Sequence, residues 1–285
     1  MARLKCIAQV SEDSGTINDD RIGQHGNLAW VIDGATDVLA TRILPGGSDA
    51  AWFAEALAAV LSGLGDTGAT PLSDVLSTVT EQVARSFREA ASRPPRETHE
   101  HPSAAGILVR LRGNRLDFLS LADCQLILAA PGTAPVALGV DPELAAGDRR
   151  TVAGMRQFQA ETGSQHWREA RAHMLPMIRA ARGRLNQPGG YGVFSVTPPP
   201  AEFIRQGSVD APAGTRLLLA TDGFTRLSDV FGRYRAVELI DEAGRRGLAA
   251  LLAELRALEE GDAQCLAFPR TKPKDDASAL LIEVA

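Results

Sequence analysis

Two apolar runs in this chain end on the same dipeptide: residues 28–32 run into Asp33-Gly34, and residues 216–221 run into Asp222-Gly223. A carboxylate at the end of a buried strand stands where the chain leaves the core. A glycine after it keeps its carbonyl open to approach, so side chain and main chain can offer oxygen to one point. That is half of a hard-cation site. An isolated Asp-Gly is ordinarily a turn, but here the pattern recurs. Asp275-Asp276 stands ahead of the apolar run 279–282, and Asp19-Asp20 precedes the 28–32 run by a hairpin's distance. Carboxylates brought close together repel one another unless a cation neutralises them, and ligation by oxygen alone selects Mg²⁺ or Mn²⁺ over zinc.

The acids are spread from one end of the chain to the other, so only a sheet that joins the two termini can cluster them. The apolar spacing predicts strands over 4–10, 28–32, 106–112, 115–121, 124–130, 216–221 and 279–282. Gly113-Asn114 marks a hairpin, and Asp123 falls in the bend between two strands. Helices are predicted from a Ser48 cap to about 61, and from Thr70-Pro71, with the proline in the first helical position, to about 91. Others are expected over 164–181, 236–243 and 248–258, with a short one after Pro200. The glycine-rich stretch 182–192 reads as a tight or mobile loop; no Gly-Lys-Ser or Gly-Lys-Thr follows it, so it is not a nucleotide phosphate loop. His99 and His101 sit in a polar loop without a cysteine nearby and are assigned no role.

A chain of 285 residues with 45% hydrophobic content can bury the core of one large domain. A net charge of −5 argues against nucleic acid or an anionic membrane as partner. Cys6, Cys124 and Cys265 are odd in number and far apart, and read as reduced core thiols of a cytoplasmic protein. Neither a signal peptide nor a membrane span is expected.

The series Asn18-Asp19-Asp20-Arg21, Val31-Ile32-Asp33-Gly34, Leu121-Ala122-Asp123-Cys124, Ala220-Thr221-Asp222-Gly223-Phe224 and Asp275-Asp276-Ala277-Ser278 resembles, in order and spacing, the metal-dependent protein phosphatases of type 2C, bacterial members included. The resemblance implies an α/β (α+β) fold: a four-layer αββα sandwich of two antiparallel sheets flanked by helices. It implies a single domain over 1–285, with a variable flap around 141–200. Carried over by position, Asp33 bridges two Mg²⁺ or Mn²⁺ ions and the Gly34 carbonyl binds one of them. Asp20 faces the site directly or through water, and Asp222 and Asp275 hold the metal on the other side. Asp123 helps to hold a third, looser ion. Whether Asp275 or Asp276 is the ligand stays open.

The activity implied is hydrolysis of phosphomonoesters, foremost phosphoserine and phosphothreonine in proteins, by a water or hydroxide bridging the two ions, with no protein nucleophile. The alternatives are the same chemistry on a small phosphorylated metabolite and a non-catalytic regulatory module that keeps the fold. A monomer is expected. One departure stands out: the family's phosphate-binding arginine, five residues before the second acid of the first motif, is Gly15 here. Arg21, His25, Arg42, Arg182 and Arg184 are the candidates to replace its charge.

Overall fold

A computed structural model describes residues 2–15, 17–36, 38, 41–65 and 67–285, with the backbone alone at 142, 143, 145 and 146. The chain opens with three strands, β1 (Leu4–Glu12), β2 (Asp20–His25) and β3 (Leu28–Gly34), then two helices, α1 (Asp49–Gly63) and α2 (Leu72–Ala90). Strands β4 (Ser103–Arg112), β5 (Arg115–Leu121), β6 (Gln125–Ala129) and β7 (Val136–Leu138) follow, and then the helical pair α3 (Pro142–Thr162) and α4 (Trp167–Arg182). The last part runs through β8 (Phe194–Ser195), β9 (Arg205–Asp210) and β10 (Arg216–Ala220), helices α5 (Asp222–Asp229), α6 (Leu239–Arg246) and α7 (Leu248–Gly261), and β11 (Ala277–Val284).

The strands form two antiparallel sheets, one in the order β1-β11-β10-β6-β7 and the other β2-β3-β4-β5-β9, with β8 paired to β4. The two ends of the chain lie side by side: Leu4 pairs with Val284, and Glu12 with Ala277. This is the closure that the scattered acids demanded.

Period-2 alternation explains why the central strands read as continuous apolar runs, since both faces of each sheet are covered. Val31, Ile107, Leu217, Leu219, Leu280 and Ile282 point between the sheets. Their neighbours Trp30, Ile32 and Leu108 point out to α1 and α2, while Leu218 and Leu281 meet α5, α6 and α7 on the far side. Each wholly buried leucine of this kind contributes about 1.5–3 kcal/mol. The result is four layers, as expected. Helices α3 and α4 form a separate small core around Met155, Ala170 and Met174.

The Ser48 cap is realised, with its hydroxyl accepting from the Ala51 amide at 3.2 Å. Pro71 instead stands at the cap position of α2, and the helix begins at Leu72. Several elements differ from the sequence reading, the unpredicted strands β2, β7 and β8 among them. Helix α3 fills a segment given no element, β9 follows the short turn at Ala201–Phe203, and Asp222 opens helix α5 where only a strand end was expected. Cys124 and Cys265 are buried, but Cys6 is exposed, on the edge strand β1. At the opposite end from the acids, buried Arg110 donates to Asp117 at 3.0 Å and Arg112 donates to the same carboxylate at 2.6 and 3.0 Å.

Candidate functional site

Strand register brings the acids together. Asp20 pairs with Asp33 across β2 and β3, and Asp33 pairs with Ala105 of β4. In the other sheet, Ala220 pairs with Ala279 at the same end of the sandwich. Asp222 therefore emerges beside the start of β11, where Asp275 and Asp276 precede it. Thr221 ties the two sheets: its hydroxyl donates to Asp20 Oδ2 at 3.0 Å and accepts from the Ser278 amide at 3.0 Å. Asp123 enters from the β5–β6 turn, which Ala122 makes by adopting a left-handed φ of 67°.

Both Asp-Gly glycines are required by close approach. A Cβ on Gly34 would lie 2.6 Å from the Asp19 carbonyl oxygen and 3.0 Å from that of Ala50, and one on Gly223 would run into the Asp276 carbonyl. The glycine after each acid thus lets a second segment pack against the strand end, a reason distinct from the open carbonyl inferred from sequence.

Asp33, Gly34, Asp123, Asp222 and Asp275 share the wall of one cavity of about 580 Å³. Asp20 stands behind them, 1% exposed, and its Oδ1 has no hydrogen-bond partner among the described residues. Burial first, and then the neighbouring acids, push the carboxyls of Asp20, Asp33 and Asp123 well above the ordinary range. Asp222 is raised by the same two causes and shares a hydrogen bond with Asp33. Asp275 is the exception. Burial would raise it, but Lys272 and Arg226 together outweigh that and hold it below the usual value.

The Asp275-Asp276 pair divides its work. Asp275 faces the cavity. Asp276 turns away and accepts from the amides of Ser14 at 2.7 Å and Asp19 at 2.6 Å, fastening the loop that carries the first acids.

Among the described residues, no three carboxylate, imidazole or thiol groups stand close enough to form a ready-made metal cage. The donor set nevertheless fits a hard divalent ion. A buried oxygen on Asp20 without a hydrogen-bond partner among the described residues, and four carboxyls whose pKa is raised first by burial and then by their mutual repulsion, are what a cation among them would relieve.

Several residues of the site carried no signal in the sequence. Asp148, on α3, reaches the cavity. The surrounding protein, then Asp222 and Asp275, push its carboxyl up to about 6, although the side chain keeps a path to solvent. The cavity's basic wall is made by Arg150, Arg171, Arg182, Arg184 and Lys272. Of the candidates for the missing phosphate charge, only Arg182 and Arg184 are there. Arg21 is turned to Glu55 at 2.5 Å, Arg42 bonds the Gly47 carbonyl, and His25 is exposed at the end of β2. Gly15 does not line the cavity; it has a φ of 150° and open space around it.

Known structures with the same architecture are numerous. The serine/threonine phosphatase PstP/Ppp of Mycobacterium tuberculosis superposes with a TM-score of 0.58 at 15% identity, covering 99% of this chain and 98% of that one. The catalytic domain of the serine/threonine phosphatase PstP in complex with two manganese ions gives 0.57 at 16% identity, with both chains covered in full. PppA, a regulatory component of type VI secretion in Pseudomonas aeruginosa, gives 0.55 at 15% identity, covering 100% of this chain and 98% of that one. No curated protein matches in sequence. The profile of the protein phosphatase 2C family matches residues 10–255. With that match over most of the chain, and the two-sheet sandwich holding its acids at one end, the chain belongs to the protein phosphatase 2C family.

Proposed function

We propose that the chain is a Mg²⁺- or Mn²⁺-dependent phosphomonoesterase that acts on phosphoserine and phosphothreonine in proteins. The observation that carries this reading is the cavity with two chemically opposite walls. One is built of Asp33, Asp123, Asp222 and Asp275 from the ends of strands, and the other of arginines from α3, α4 and the loop after α4. The first wall suits cations and the second suits a phosphoryl group.

Asp33 and Asp222 with the Gly34 carbonyl would hold the principal ion, and Asp20 would support it from behind. Asp123, Asp148 and Asp222 are the donors for a looser one. Bound there, a divalent ion lowers the pKa of water and takes up negative charge on the phosphoryl oxygens. The chain's own residues do the rest. The arginines seat the phosphate, and α3 and α4, packed on each other through Met155, Ala170 and Met174, line one side of the cavity. Cys124 does not compete for the role of nucleophile: burial, and then the surrounding acids, push its thiol far up.

Among the basic residues, Arg171 best fits the phosphate seat. It is half-buried on α4 and lines the cavity, and it makes no ion pair among the described residues. Burial lowers its pKa while Asp275 opposes that. An arginine does not give up its proton, so this desolvated charge is best matched when an anion enters.

A second reading, hydrolysis of a small phosphorylated metabolite, is favoured by the small-ligand size of the cavity that α3 and α4 help to line. Phosphate release from phosphoserine and phosphothreonine peptides, measured beside a panel of phosphorylated metabolites in Mn²⁺, separates the two. Turnover of metabolites alone would overturn the first reading.

A further inference from the structure

We infer that Lys272 and Arg226 are built-in counter-ions of Asp275 that hold it out of metal ligation, so that the metal centre takes no ligand from the start of the last strand. The inference rests on the metal-dependent reading above and concerns which acids serve it.

Arg226 lies one turn after Asp222 on α5, and this spacing carries its side chain inward to Asp275. Its Nη2 donates to Asp275 Oδ2 at 2.6 Å and its Nη1 to Glu259 Oε1 at 2.9 Å. The Arg226 side chain is 6% exposed and that of Glu259 is not exposed at all. Arg256 closes the network, donating to Glu259 Oε2 at 2.6 Å and to the Asp275 carbonyl at 2.8 Å. A guanidinium fixed between two buried carboxylates cannot swing away without leaving buried charge unpaired.

The other oxygen is taken from the opposite side. Lys272 Nζ forms an ion pair with Asp275 Oδ1 and donates to Thr36 Oγ1 at 2.9 Å, and the Asp276 amide donates to the same Oδ1 at 3.0 Å. Thr36 stands three residues after Asp33, so the ammonium spans the two edges of the acid wall. An ion ligated by Asp275 would need a free lone pair at about 2.1 Å, beside an ammonium of like sign. The chain supplies positive charge at this acid itself.

Isothermal calorimetry and direct assay of bound Mn²⁺ on the full chain test the inference, with thermal unfolding confirming that each variant is folded. Asp275→Asn is expected to bind the same number of Mn²⁺ ions as the wild type, with affinity within about threefold. The double variant Lys272→Met/Arg226→Met, which removes both counter-ions, is expected to gain one ion per chain, and adding Asp275→Asn to it is expected to abolish that gain. Loss of an ion in Asp275→Asn, or unchanged stoichiometry in the folded double variant, would overturn the inference while leaving the metal reading standing. No Mn²⁺ bound by any of these proteins would overturn both. If the double variant fails to fold, Asp275→Asn decides alone.

Discussion

Replacing Arg171 by methionine keeps most of the side chain's length and removes its charge, which isolates the guanidinium's part in holding phosphate. A charge-assisted hydrogen bond to a phosphoryl oxygen is worth about 1.5–3 kcal/mol, or roughly ten- to a hundredfold in binding. Arg150, Arg182, Arg184 and Lys272 remain on the same wall, so the expected effect lies at the lower end, about a tenfold rise in KM for p-nitrophenyl phosphate at saturating Mn²⁺. The acid wall is untouched, so kcat should stay within about threefold, and the inhibition constant of inorganic phosphate should rise in step with KM. Removing a half-buried, unpaired cation should leave the melting temperature unchanged or raise it. The reasoning fails if KM and the phosphate inhibition constant both stay within twofold of the wild type. A fall in kcat with KM unchanged would also refute it, since that places Arg171 on the transition state and not on the bound phosphate.

Three further outcomes are expected. Gly15→Arg should not lower KM, because an L-residue is strained at a φ of 150° and the position lies outside the cavity; a tenfold gain in steady-state assays would show that the loop moves into the site. Asp33→Asn should raise the melting temperature of the metal-free protein at pH 8. A carboxyl whose folded pKa is raised by burial and by Asp20 destabilises the fold as pH climbs through that value, and the benefit of the amide should vanish in acid; a lower melting temperature at pH 8 counts against the assignment. Asp117 behaves oppositely. The Arg112 hydrogen bonds outweigh burial and hold its carboxyl at about 2. It therefore contributes about 2 kcal/mol above pH 4 that is lost as pH falls toward 2, and urea titration of Asp117→Asn from pH 7 to 3 should show a deficit that shrinks in acid.

The part of the site carried by strand ends was legible because an apolar run stopping on Asp-Gly is a local pattern. Asp33 and Asp222 each announce themselves within a few residues, and the closure of β1 on β11 follows from having acids at both ends of the chain. The helical insert was not. Among the described residues of α3, Met155 is the main apolar residue buried against α4, too little for a periodic stripe. Strand β9, RQGSVD, is an exposed edge without apolar alternation. Helix α5 was hidden by the glycine in its first turn. Arg226 left no trace as a counter-ion because it meets Asp275 across 49 residues of sequence, and pairing at that range has no local signature. Asp148 and Arg171 were missed for the related reason that nothing short of the folded insert shows which of its many charges face inward.

In the proposed function, acids at one end of the sandwich serve a divalent ion that makes phosphate release possible. The most direct measurement is release of inorganic phosphate from a phosphothreonine peptide by wild type and Asp33→Asn in parallel, across a Mn²⁺ titration and then in excess chelator. Release by the wild type is expected to rise with Mn²⁺ and to disappear in chelator, and the rate for Asp33→Asn to be lower by at least about two orders of magnitude at every metal concentration. Undiminished release in chelator, or an Asp33→Asn rate matching the wild type, would contradict that function.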